Sequence, residues 1–413
     1  MSASAKISFG KGVKNPSLET DDDVRGGLFL CCAGLLLAIG TLIVYSSSIT
    51  ARPSQEEQYY LGRQLLFLLA SGLVGITASC RPRIFWQRFA PMFYAATLLL
   101  LILVLIPGIG RSINGAQRWF RIGPISLQPS EIAKLALPMM LCAWRARRKM
   151  NDPSGDLRNL FQSGLLALPV LAMIALEPDL GTAVFLGMTT LLVFWLTDCP
   201  ARYFSVLAVL TVPVALMMAV LRPYQFARLK GFVNVWFHPE DAPYQVQQSL
   251  TTLGAGGISG VGLGKGWQKL SFLPEANTDF AFAVVGEELG LIGTLSVIGL
   301  WGGLYVTGIW LMRRVPPGSF AGTLSLTLLA QLVIQAAMNV AVVTALLPPK
   351  GISHPFISYG GSNLIVSILA LGVIVSLTRP TRSELHLSSF WFRWNPLSRW
   401  IVLRQSDAQQ SSA

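Results

Sequence analysis

The sequence has 413 residues, of which 13% are charged and 52% hydrophobic, and a formal net charge of +12. Soluble globular chains carry about 25% charged residues, so this composition excludes an ordinary soluble domain. The positive excess raises nucleic acid as a partner. Its basic residues, however, sit in the segments between apolar runs, as a positive-inside surplus facing anionic lipid requires, and nucleic acid is set aside.

Residues 1–25 are polar, with Asp21, Asp22 and Asp23, and lack the order of a signal peptide; they read as a cytoplasmic tail. Apolar runs follow at 28–48, 60–80, 90–107, 129–147, 160–176, 180–197, 203–221, 280–312, 320–347 and 359–378, each able to cross a hydrocarbon layer of roughly 30 Å. Without strict alternation they predict helices, because a backbone in lipid must satisfy itself. The fold class is an all-α integral membrane bundle of about ten transmembrane helices, spanning residues 26–380, with a second cytoplasmic tail at 381–413. Segments placed inside hold 20 of the 32 Lys and Arg, including RPRIFWQR and WRARRK read as short inside loops, so both termini are expected in the cytoplasm. Cys31, Cys32, Cys80, Cys142 and Cys199 all fall on that inner side, away from oxidising conditions, with no zinc-like spacing.

Two outer segments stand out. Residues 109–128 form a polar, hairpin-like insertion with Arg111, Arg118 and Arg121. Residues 222–279 are too long for a connection; PYQFARLKGFVNVWFHP suits a helix at the lipid surface. The seven glycines of 254–266 do not read as a nucleotide loop, since no βαβ unit holds them and Gly266 follows Lys265. Plain flexibility, or N–H groups approaching a lipid diphosphate, remain the readings there.

Carboxylates near the ends of spans are functional candidates by default, because an ionisable group at membrane depth is costly. Asp279 stands where the long loop enters the eighth span, followed by Glu287 and Glu288; an N-cap role for Thr278 or Asp279 is the structural alternative. In QPSEIAK, Glu131 and Lys134 share a helix face at i, i+3, and the turn EPDLGT presents Asp179. With Arg118 they suggest a wet, charged cavity opening outward. In PPKGISHPFISYGGSN, residues 348–363, dense Pro and Gly should line a cavity or be covered by protein, and His354 reads as a loop residue.

LPEANTDFAFAVVGEELG, together with Asn339, Pro348, Gly351 and the run Ser358 to Gly361, resembles the SEDS family (FtsW, RodA, SpoVE); GAQRW, LQPSEIAKL and EPDLGT match in the family's order. Ala345 stands where the signature usually has Gly, Asn363 where it has Ser or Ala, and Asn277 where His is common. Gly286 is more like the division-type than the elongation-type members. The resemblance implies a peptidoglycan glycosyltransferase that polymerises lipid II, drawing on undecaprenyl diphosphate-linked glycan, outside the bacterial cytoplasmic (inner) membrane and at the division septum. It implies a class B penicillin-binding protein, a transpeptidase, as partner, with other divisome membrane proteins. Asp279 matches the family's essential aspartate, and Arg118, Glu131, Lys134 and Asp179 its cavity residues, with Ser358 and Gly360 from the SYGG run. No dedicated metal ligands appear; a divalent cation, Mg or Mn, could assist the leaving diphosphate. A lipid II transporter, an elongation-type polymerase and a non-catalytic scaffold are the alternatives.

Overall fold

The computed structural model describes residues 16–48, 55–113, 116–122, 125–151, 156–197, 223–267, 272–313 and 315–379, together with Ser205 and Val209. The expected span at 203–221 and both tails otherwise lie outside the described residues, as does Cys199.

The helices are α1 (Pro16–Ser48), α2 (Gln55–Ser79), α3 (Arg83–Leu105), α4 (Pro129–Asn151), α5 (Asp156–Leu176), α6 (Leu180–Leu196), α7 (Pro223–Phe237), α8 (Tyr244–Ala255), α9 (Ala281–Met312), α10 (Phe320–Val343) and α11 (Gly361–Thr378). Six are long and apolar enough to cross a membrane, within α1, α2, α3, α9, α10 and α11, while α5 and α6 contain shorter apolar helices. Helix α4 carries Glu131 and Lys134 and four basic residues at its far end, yet most of Ser130 to Ala143 is buried. Its charges are tolerated because its neighbours are α3, α5, α6, α10 and α11 rather than lipid alone. The outer faces are apolar instead: Leu69 (76% exposed) and Leu73 on α2, Met92 on α3 and Leu168 on α5 are exposed, as expected where the solvent is hydrocarbon.

Small residues let the central helices approach. A Cβ on Gly372 of α11 would overlap Gly75 O of α2, so these two helices meet backbone to backbone. Three boundaries differ from the sequence reading. RPRIFWQR and WRARRK are mostly helical: Arg83 opens α3 directly after its N-cap Pro82, and Arg145 to Arg148 lie in the last turns of α4. Arg83 donates to Arg379 O, and Trp86 Nε1 donates to Ser376 Oγ at 2.9 Å, fixing α3 to the end of α11. The long loop is itself largely helical, holding α7, a 3₁₀ turn at Pro239–Asp241 and α8.

The insertion after α3 is a three-stranded antiparallel sheet, β1 (Arg111–Ile113), β2 (Ala116–Ile122) and β3 (Ile125–Leu127), in order β1-β2-β3. Phe120 pairs with Leu127, and a bulge follows Arg111. Ser362 Oγ at the start of α11 donates to Ser126 O (2.9 Å), which docks the sheet on the bundle end.

Candidate active site

Sheet, helix starts and interhelical segments converge on one cavity of about 490 Å³, within the usual range for small-molecule sites. Of the residues singled out from sequence, Arg118, Glu131, Lys134, Asp179, Asp279 and Gly360 all line it. Ser358 does not: it is buried, and its Oγ accepts from His354 N (2.8 Å) to hold the turn before α11. His354 is a packing residue, fully buried with its ring stacked on Phe282 and tilted against Trp301.

Hydrogen bonds separate the carboxylates by role. Asp179 is the N-cap of α6, accepting from Thr182 N (3.2 Å) and Thr182 Oγ1 (2.9 Å). Arg118 on β2 clamps the turn before it, donating to Glu177 O (2.8 Å) and Pro178 O (2.6 Å), with 3.9 Å to Asp179 Oδ2. Glu131 accepts from Lys134 Nζ (2.7 Å), which also donates to Gln335 Oε1 at 3.2 Å. Both are buried, so this is no interfacial pair of small worth; removing one partner costs roughly 3–5 kcal/mol.

Asp279 differs. It precedes α9 but caps nothing: the N-cap is Phe280, with no side-chain cap bond, and Thr278 Oγ1 turns instead to Glu275. The capping alternative therefore fails. The backbone is pinned, since Asn339 Nδ2 of α10 donates to both Asp279 O and Ile352 O at 2.7 Å, and Tyr359 N donates to Asn277 O at 2.8 Å. These bonds bring Gly351 against the carboxylate; a Cβ there would lie 3.1 Å from Asp279 Oδ2. The carboxylate itself accepts no hydrogen bond from any described residue and faces the cavity. Burial, then Glu275, push its pKa up to about 7, with Asp179 adding and Arg228 opposing. It is poised to exchange a proton near neutrality.

Three cavity cations escape the sequence reading of the site. Arg228 of α7 donates to Pro349 O (3.3 Å), and Arg63 and Lys350 also line the cavity. Burial lowers the Lys350 pKa while Asp179 raises it. In sequence Arg228 belongs to a lipid-surface helix; only the fold turns it inward. The cavity thus carries five basic side chains against four acidic ones, and three of the acids, Glu131, Asp179 and Glu275, already accept side-chain hydrogen bonds.

The described residues contain no group of three or more His, Cys, Asp or Glu placed to hold a metal. Asp179 and Glu131 are committed as above, and no chemical step is routed through a divalent cation.

The glycine-rich segment is neither loose nor presenting N–H groups to the cavity. Val261 N and Gly262 N donate to Glu287 O and Glu288 O, and Trp267 N to Glu287 Oε1. These donors are taken up by α9, and Gly264 N by Ser46 of α1.

The profile of the family described as "Cell cycle protein", that of FtsW, RodA and SpoVE, matches residues 27–383. The chain belongs to this family. A relative from Coxiella burnetii, described as "Probable peptidoglycan glycosyltransferase FtsW", is 38% identical over 85% of this chain and 95% of its own length. A similar chain comes from a solved structure described as "Structural coordination of polymerization and crosslinking by a peptidoglycan synthase complex". It aligns with TM-score 0.69 and 27% identity over 85% of this chain and 96% of that one. The crystal structure of the Thermus thermophilus rod shape determining protein RodA aligns with TM-score 0.62 and 27% identity, covering 85% and 95%. Both solved chains therefore share the overall fold of this one.

Proposed function

We propose that this protein is a peptidoglycan glycosyltransferase that polymerises lipid II on the outer side of the bacterial cytoplasmic membrane, at the division septum. One observation carries the reading: Asp279, a carboxylate with no hydrogen-bond donor among the described residues, faces a cavity lined by five cations. The division-type naming of the relative supports the septal role.

Polymerisation joins the 4-hydroxyl of one saccharide to the anomeric carbon of a glycan carried on undecaprenyl diphosphate. The new C–O bond forms as the bond from the anomeric carbon to the diphosphate oxygen breaks. The hydroxyl proton passes to the Asp279 carboxylate, and general-base help of this kind contributes roughly 10²–10⁴-fold. The departing diphosphate gains negative charge, which Arg118, Arg228 and Lys350 are placed to stabilise, with Lys134 held in the cavity floor by Glu131. A class B penicillin-binding protein is the expected partner, which the synthase complex supports.

The test is gel-resolved polymerisation of labelled lipid II by Asp279→Asn with its partner, beside a melting curve. A folded variant should lose activity by roughly 10²-fold or more. Wild-type activity should fall as pH drops below about 7, because the protonated carboxyl cannot accept the proton. A stable Asp279→Asn protein polymerising at the wild-type rate would remove the catalytic assignment. A transporter reading expects paired interrupted helices. Among the described residues one is interrupted, α9 at Gly290. Translocation of lipid II in liposomes without polymerisation would favour that reading.

A further inference from the structure

Helix α9 is not one rod. Gly290 takes φ 67 and ψ −162, dividing it into Ala281 to Leu289 and Leu291 to Met312. Such a break orphans the last carbonyls of one half and the first N–H groups of the other, and each left unpaired in lipid costs several kcal/mol. The glycine-rich segment supplies four partners. Val261 N and Gly262 N donate to Glu287 O and Glu288 O at 3.0 Å, while Leu291 N and Ile292 N donate to Gly257 O and Ile258 O at 3.0 and 3.2 Å.

Side chains tie the same joint to α1. The Ser46 hydroxyl, 2.6 and 2.7 Å from the two carboxylate oxygens of Glu288, donates to that carboxylate and accepts from Gly264 N at 3.0 Å. The fit admits no side chain. At Gly260 (φ 77) a Cβ would overlap Glu288 O, and at Gly290 it would overlap Gly260 N.

We infer that residues 256–267 are a splint whose grip on the Gly290 break sets where the Asp279 carboxylate stands. The half-helix it holds begins two residues after Asp279, and that half is buried almost throughout. It therefore moves as a unit, and its tilt decides how Asp279 meets Gly351 and the cavity. Gly260, Gly290 and Ser46 are positioning residues that touch no substrate. The activity consequence rests on the glycosyltransferase reading; the splint itself does not.

The test uses full-length Gly260→Ala and Ser46→Ala with the transpeptidase partner and reads two things. By hydrogen exchange, the Leu291 and Ile292 amides should be protected in the wild type and lose protection in Gly260→Ala. A lipid-facing control, Leu69→Ala, should not change them. In polymerisation, kcat should fall by roughly 10²-fold, as a misplacement of about 1 Å can produce, with KM for lipid II unchanged. The acid limb should also move from about pH 7 toward the ordinary carboxylate range near ~4, because a displaced Asp279 becomes hydrated. The charged groups that face it are Glu275, Asp179, Arg228 of α7 and Lys350. Simple destabilisation would lower the amplitude and leave the limb where it was. If Gly260→Ala does not fold, Ser46→Ala carries the same readouts, with Ser46→Thr restoring them. Unprotected Leu291 and Ile292 in the wild type would overturn the splint, as would lost protection with kcat and acid limb unchanged. If the wild type fails to polymerise lipid II, the functional reading falls and the exchange result alone decides the splint.

Discussion

Two neighbouring acids in EPDLGT have opposite fates. Asp179 finds the hydroxyl and amide of Thr182, whereas Glu177 is fully buried and neither of its carboxylate oxygens has a hydrogen-bond partner among the described residues. Burial, then Asp179, push the Glu177 pKa from the ordinary 4.5 up to about 8, with Arg118 opposing. Glu177 is thus neutral at pH 7 in the folded chain and ionised in the unfolded one. Its raised value makes the folded state bind the proton more tightly, so its contribution to stability is greatest below pH 4.5, falls as pH rises towards 8, and is flat beyond. Every tenfold gain in proton affinity on folding is worth on the order of 1.4 kcal/mol. Glu177→Gln removes that titration: the variant should match the wild type near pH ~4 and melt higher at pH 8, measured in detergent with polymerisation as a folding control. Equal melting temperatures at the higher pH would mean that Glu177 does not change its proton affinity on folding. Nothing in the sequence distinguishes these two acids, because the difference is which one the β2 arginine and the bundle end enclose.

Elements were legible where apolar periodicity alone decides them and illegible where a distant partner does. The spans of α1, α2, α5, α6, α10 and α11 follow from length and composition. The run from Ala281 to Met312 also reads as one helix, and at about 48 Å it is too long for one crossing; the break at Gly290 resolves that excess. Glycine in an apolar run does not announce a break, since it is common in membrane helices. Only the segment about 30 residues upstream makes this one tolerable. The end of α10 shows the reverse case, in which sequence held the clue. Ala345, standing where the family usually has Gly, adopts φ 56 just past the helix and is almost fully buried. A Cβ in the left-handed region is penalised, so the usual glycine has a steric reason. Ala345→Gly should stabilise the protein by about 1 kcal/mol, the left-handed penalty less the entropy glycine adds to the unfolded chain. A melting-temperature rise with unchanged polymerisation is the expected outcome, and a fall would show that the Ala345 methyl contributes packing worth more than the strain.

At the scale of the whole molecule, motifs scattered from residue 116 to residue 363 close on one cavity at one end of the bundle. That convergence was foreseeable in kind, because outer segments of alternate spans must meet at the same end. Its cations were not all foreseeable, since Arg228 and Lys350 enter it from segments whose own sequence suggests only a surface helix and a turn. Which way this end faces decides whether the proposed chemistry is reachable by extracytoplasmic lipid II. The expectation from the distribution of Lys and Arg is that it lies outside, with Cys31, Cys32, Cys80, Cys142 and Cys199 on the inner side, and that orientation is what a labelling experiment tests. Ser259 lies in the splint segment and is exposed, so a cysteine there samples the cavity end without entering the cavity. In intact spheroplasts an impermeant thiol reagent should label Ser259→Cys and leave the native cysteines unlabelled. After permeabilisation Cys80, exposed at the opposite turn between α2 and α3, should become reactive. Labelling of Cys80 or Cys199 before permeabilisation, with Ser259→Cys silent, would invert the bundle and place Asp279 where an extracytoplasmic polymerase cannot use it.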